Sequence, residues 1–273
     1  MFNSKNTTLV FSSIIAAMTL SATAASPAHA GELPIVGTGD GMEIFQALGR
    51  EFSSLNPDIK VVIPPSIGSD GAVKAVLAGA NELGRIARPL TAEEKGKGLA
   101  VKSVMRIPSV IIVHASANTT GVTGAQLHGI FSGKITNWKE IGGADQPIRV
   151  IVREEGDSVF KVLKATMPGW SSMTVSGSAQ VISTTTQDLI EAVRKTPGSI
   201  GFAPYSILHR SSLTMLKIDG RGPNDPAYPS AVSIGLLHSS AALSPDAAKF
   251  VEFAQSGAGD KVITWLGGLG AKP

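Results

Sequence analysis

The sequence has no cysteine, which excludes disulfides, thiolate metal centres and a cysteine nucleophile. Aromatic residues are scarce at 5%, and no run of Lys and Arg carries aromatics between its charges. The net charge of +3 therefore comes without a nucleic-acid-binding pattern. Charged residues amount to 16% against 43% hydrophobic ones, too little charge for a disordered chain and enough apolar material for a core. The five histidines (His29, His114, His128, His209, His238) lie at no metal-ligand spacing and read as structural or surface residues. No G-x-S-x-G elbow and no G-x-x-x-x-G-K-[ST] loop occurs, so neither a hydrolase nucleophile nor a nucleotide P-loop is selected. No metal or cofactor is called for.

What is present begins at the N-terminus. MFNSK supplies a short positive segment, LVFSSIIAAMTL an apolar one, and ASPAHA ends in small residues. This is the pattern of a cleaved signal peptide over residues 1–30, with the cut after Ala30. The apolar stretch is too short and too interrupted by Ser and Thr for a membrane span. The expected mature protein is exported, periplasmic or secreted, and soluble. A length of 273 residues fits one large domain or two smaller ones.

From Gly31 onward, strand-like and helix-like segments alternate. LPIVGT (33–38), IKVVIPPS (59–66), SVIIVHA (109–115) and SIGFAPY (199–205) are rich in β-branched and apolar residues. MEIFQALGREFSSL (42–55) and GAVKAVLAGA (71–80) have helical apolar spacing. Such alternation predicts an α/β fold with mostly parallel sheets. At VGTGDGMEIF (36–45), PSIGSDGAVKAV (65–76) and VREEGDSVFKVL (152–163) a strand ends, a polar Gly-containing loop follows, and a helix begins. Loops of this kind aim backbone N–H groups and the positive end of a helix dipole at one point, which suits an oxyanion. Ligands of open α/β sheets sit at such carboxyl ends of strands. Asp40, Asp70 and Asp157 occupy positions where a carboxylate can equally serve as an N-cap.

The segment LHGIFSGKITNWKEIGGADQPIRVIVREEGDSVFKVL (127–163) resembles the central signature of the periplasmic phosphate-binding proteins, the substrate-binding subunits of phosphate ABC transporters. That pattern runs I-F-x-G-x-I-x-x-W-x-x-I-G-G, then a strand, then R-x-x-G-S-G-T. IGSDGAVKAVLAGANELGRIARPLTAEE (67–94), TPGSIGFAPYSIL (196–208) and AAKFVEFAQSGAGDKVITWLGGLG (247–270) resemble further family segments in order. The resemblance implies two α/β lobes, each a mostly parallel sheet flanked by helices, joined by two crossover strands and closing on a ligand. Mapped here, lobe one is 31–113 with 231–273, and lobe two is 114–230. SVIIVHA is then one crossover and the stretch near YPSAVSIG the other. The implied function is capture of phosphate or a related oxyanion for delivery to an ABC permease in the membrane, by a monomer and without catalysis.

The resemblance assigns ligand contacts to three loops: Thr38, Gly39 and Asp40; Ser69 and Asp70; and Arg153, Gly156, Asp157 and Ser158. It places Glu82 on an acid that accepts a bond from protonated phosphate. The pattern is broken at Asp157 and Val159, which stand for a Ser and a Thr, and at Ala87, which stands for a Ser. Glu154, Glu155 and Asp157 crowd a turn beside Arg153. Either the acids cap their own helices and the site holds phosphate with fewer hydroxyls, or the same fold is retuned to a different small solute. A sensor or interaction module that has lost transport is a further reading.

Overall fold

A computed structural model describes residues 31–153, 157–182, 185–240 and 243–271. The signal-peptide segment and Gly156 lie outside the described residues. The chain runs β1 (Gly31–Gly37), α1 (Met42–Leu55), β2 (Ile59–Val62), α2 (Gly68–Leu77), β3 (Leu83–Ile86), α3 (Ala92–Gly96) and the long β4 (Leu99–Val113). It continues through β5 (Gly121–Val122), α4 (Gly124–Phe131), β6 (Arg149–Arg153), α5 (Ser158–Thr166), β7 (Gln180–Ile182), α6 (Thr186–Lys195) and β8 (Ser199–Pro204). It ends with α7 (Tyr205–Leu208), β9 (Thr214–Met215), β10 (Lys217–Ile218), β11 (Ala231–Ser239), α8 (Pro245–Gln255), α9 (Gly257–Trp265) and β12 (Leu269–Gly270).

The apolar residues separate into two main cores. One gathers side chains of 33–107 and 234–263, including Phe45, Leu48, Met105 and Phe250. The other gathers 110–228, including Val110, Phe131, Trp138, Phe160 and Phe202. Strand β4 belongs to both and carries the chain between them. Up to Pro108 it pairs antiparallel with β11, and from Ser109 it pairs antiparallel with β8. Proline has no N–H to give a ladder, so it is tolerated where one pairing ends and the next begins. The Ser109 N–H then bonds the Ser230 carbonyl at 2.9 Å, tying the outward and returning chains together. SVIIVHA is thus not the crossover itself: its strand portion already pairs within the second lobe.

The two lobes share one 10-stranded sheet, which is mixed rather than mostly parallel. The order β2-β1-β3-β11-β4-β8-β6-β7 has parallel neighbours at each end. Its middle, around β11 and β4, is antiparallel. β4 and β11, which carry the chain out and back, pair antiparallel with each other, and β4 then pairs antiparallel with β8.

Helices α1 and α5 present the loops of interest. Ile44, Phe45, Leu48 and Phe52 form one buried stripe of α1. Helix α5 is seated by Phe160, whose ring stacks on Phe202 of β8 at 5.4 Å with planes 9° apart. Among the described residues, no helix is long and apolar enough to cross a membrane.

Candidate functional site

The first two strand–loop–helix junctions meet. Gly37 ends β1 with φ 135°, and a Cβ there would strike the Arg85 backbone, so the close approach of β3 requires glycine. Its carbonyl accepts the Ile67 N–H at 3.0 Å. A Cβ on Gly39 would touch Ser66 at 3.4 Å. The loops before α1 and α2 are therefore in contact at the carboxyl ends of β1 and β2.

Arg85 holds this contact from beneath. Its side chain is fully buried, and its Nε donates to the Thr38 carbonyl at 3.0 Å. Its two terminal nitrogens donate to the carbonyls of Ile35 and, at 3.2 Å, Pro64. Burial pushes the guanidinium down to about 10. Arg85 is thus a pin between loops and no counter-charge in the cleft.

The three aspartates take three different roles. Asp157 is an N-cap: its carboxylate accepts the Phe160 N–H at 2.8 Å, and it is buried. It also lies 3.7 Å from Arg153 Nε. Asp40 caps nothing, because α1 starts from Gly41 in the left-handed region without a side-chain cap. Its carboxylate instead accepts the Thr38 hydroxyl at 3.0 Å. Asp70 lies within α2 and accepts two bonds from Arg88, from Nε at 3.1 Å and Nη2 at 2.6 Å. Arg88 is claimed further by Glu94 at 2.7 Å, and that pairing holds the Glu94 carboxyl down at about 2.

Ser69 accepts the Ala87 N–H at 3.1 Å and fastens α2 to the chain after β3. Arg153, at the end of β6, donates to the Thr186 hydroxyl at 3.3 Å, within its own lobe. Ser158 opens α5. Glu82 lies apart from all of these. It precedes β3, at the opposite end of that strand from Arg85, and its carboxylate takes both the N–H and the hydroxyl of Ser244, the latter at 2.7 Å. It supports the start of α8, so the structure does not bring it to the loops.

Two cavities lie between the cores and share Asp40, Val162 and Val232. The smaller, about 160 Å³, is bounded by Gly39–Ile44 on one side and by Val159, Val162 and Ile207 on the other. The larger, about 720 Å³, reaches Arg88 and Lys161. Sequence reasoning passed over Ser66, Lys161 and Thr186. Ser66 stood in a polar loop beside Ser69, the only signal available for it. Lys161 and Thr186 carry no local signal, since only packing brings them to the cleft and to Arg153.

Comparison with known proteins gives this geometry a context. Residues 22–256 match the model of the PBP superfamily domain. The phosphate-binding protein PstS of Bacillus subtilis is 28% identical over 197 residues, 71% of this chain, and the chain spans 63% of that relative's length. A structure from Clostridium perfringens, described as a substrate-binding protein of a phosphate ABC transporter with bound phosphate, is 25% identical. It superposes with a TM-score of 0.70 over 89% of this chain and 100% of its own. An ABC-type phosphate transport receptor from Vibrio cholerae, 22% identical, shares the fold with a TM-score of 0.71 over 88% of this chain and 99% of its own. The chain belongs to the superfamily of periplasmic binding proteins.

Proposed function

We propose that this protein is an exported receptor that captures phosphate, or a closely related protonated oxyanion, between its two lobes and presents it to an ABC permease. The lobes divide within β4 after Pro108 and before β11, as 31–108 with 231–273, and 109–230, and the protein acts as a monomer that binds without turnover. The observation that carries the reading is the state of the helix N-termini. Helices α1 and α2 begin without a side-chain cap, whereas α4, α5, α6, α8 and α9 are capped by their own hydroxyls or carboxylates. Among the described helices only the single-turn α7, which starts from Pro204, is also uncapped; α1 and α2 are the two whose loops touch beside the cleft. Backbone N–H groups there are suited to an oxyanion supplied from outside.

Asp40 at the cleft and Asp157 beside Arg153 answer the puzzle of the acids separately. Asp157 spends its charge on α5 and Arg153. Asp40 stays on the cleft wall, where it repels an unprotonated dianion and accepts a bond from one that bears a proton. That favours phosphate over sulfate near neutral pH. Calorimetric titration of residues 31–273 tests this with Asp40→Asn beside the native chain. The native protein should bind phosphate and reject sulfate, and the variant should lose at least about tenfold in this discrimination. Equal discrimination in both proteins would remove Asp40 from the ligand.

A further inference from the structure

The larger cavity has the wrong chemistry for a bare ion. It holds about 720 Å³, within the range of roughly 300–1,000 Å³ that suits organic ligands. Most of its wall is apolar, contributed by Ile86, Ala87, Val101, Val162, Ala165 and Ile234. Val101 is 37% exposed and is among the few large hydrophobic side chains left open to solvent. An inorganic oxyanion brings no carbon to cover such a wall.

The charged residues on its lining are Asp40, Arg88 and Lys161. Asp40 joins the chamber to the smaller cavity at the α1 N-terminus. Arg88, after β3, and Lys161, on α5, line the chamber from the two lobes. Arg88 is already committed to Asp70 and Glu94, while among the described residues no carboxylate pairs with Lys161. A second observation points the same way. The sequence departs from the hydroxyl-bearing pattern it otherwise resembles at Ala87 and Val159, and both side chains line these cavities. Hydroxyls have been exchanged for apolar surface at the cleft itself.

We infer that the cleft takes a phosphoryl group bearing a small apolar organic substituent, as a phosphate monoester or a phosphonate. The phosphoryl oxygens meet the α1 and α2 N-termini, the substituent lies along α5 and β11 in the larger chamber, and Lys161 supplies a cation near the junction. This rests on the oxyanion-receptor reading and narrows its ligand class.

The test is titration of residues 31–273 with inorganic phosphate, phenyl phosphate and phenylphosphonate, each repeated with Ala165→Phe. Ala165 is an exposed helix position on the chamber wall, so the added ring fills space without disturbing a core. At least one aryl ligand should bind about tenfold or more tighter than inorganic phosphate. Ala165→Phe should remove most of that advantage and leave inorganic phosphate unchanged. Binding of phosphate with no aryl advantage would overturn the inference and spare the receptor reading. An aryl advantage that Ala165→Phe does not touch would overturn the chamber assignment. Absence of binding by all three would overturn the receptor reading, and this inference with it.

Discussion

Replacing Arg85 by Met removes the pin under the cleft loops while keeping most of the side-chain volume. Three carbonyls lose a charged donor: Ile35, Thr38 and Pro64. Hydrogen bonds to a charged group are each worth about 1.5–3 kcal/mol net. Against this, a cation fully shielded from solvent is no longer held in the interior. Its lowering from 12.5 to about 10 corresponds to roughly 3 kcal/mol of desolvation recovered. The balance is a loss of about 2–6 kcal/mol, a large share of a domain's stability. With a urea dependence of about 2 kcal/mol per molar, the unfolding midpoint should fall by about 1–3 M. Arg50→Met, at an exposed position of α1, should leave the midpoint nearly unchanged. A midpoint shift below about 0.3 M for Arg85→Met, at unchanged slope, would refute the view that this guanidinium holds the loops.

Other perturbations have defined outcomes. Asp157→Ala removes the cap on the Phe160 N–H and should cost about 0.5–2 kcal/mol, read in a chemical-denaturation curve, whereas Asp157→Asn should recover most of it. Gly37→Ala places a Cβ against the Arg85 carbonyl at a φ of 135°, and a loss of about 3 kcal/mol or more is expected in the same assay. The Glu94 carboxyl, held from 4.5 down to about 2 by Arg88, binds fewer protons folded than unfolded. Its stabilisation is therefore present above about pH 4.5 and lost as the pH falls toward about 2. The difference in melting temperature between native protein and Glu94→Gln should shrink across that window, and a difference independent of pH would count against the pairing.

The alternation of strands and helices was legible because β-branched runs and helical apolar spacing are local properties. MEIFQALGREFSSL folded as α1, and its stripe of Ile44, Phe45, Leu48 and Phe52 faces the core. The cap role of Asp157 was readable only as one alternative, because the same local signal stood at Asp40 and Asp70, which cap no helix. Strand pairing is not local. Nothing in SVIIVHA tells that its partner, β8, runs antiparallel, so mostly parallel sheets were expected where a mixed one occurs. Glu82 was misplaced for a related reason. A motif gives a residue's neighbours in the chain, while only the three-dimensional course of β3 puts Glu82 at one end beside Ser244 and Arg85 at the other. The roles of Arg85 and Arg88 likewise depend on distant partners: backbone carbonyls for one, Asp70 and Glu94 for the other.

Capture between the lobes requires one ligand to bridge the α1 loop and the facing turn of α5. Hydrogen exchange of residues 31–273 with and without saturating phosphate tests it most directly. Exchange should slow together at residues 39–44, ahead of and within α1, and at 159–162 of α5, with sulfate producing neither. Slowing in one lobe alone, or at neither segment while phosphate is bound, would contradict capture between the lobes.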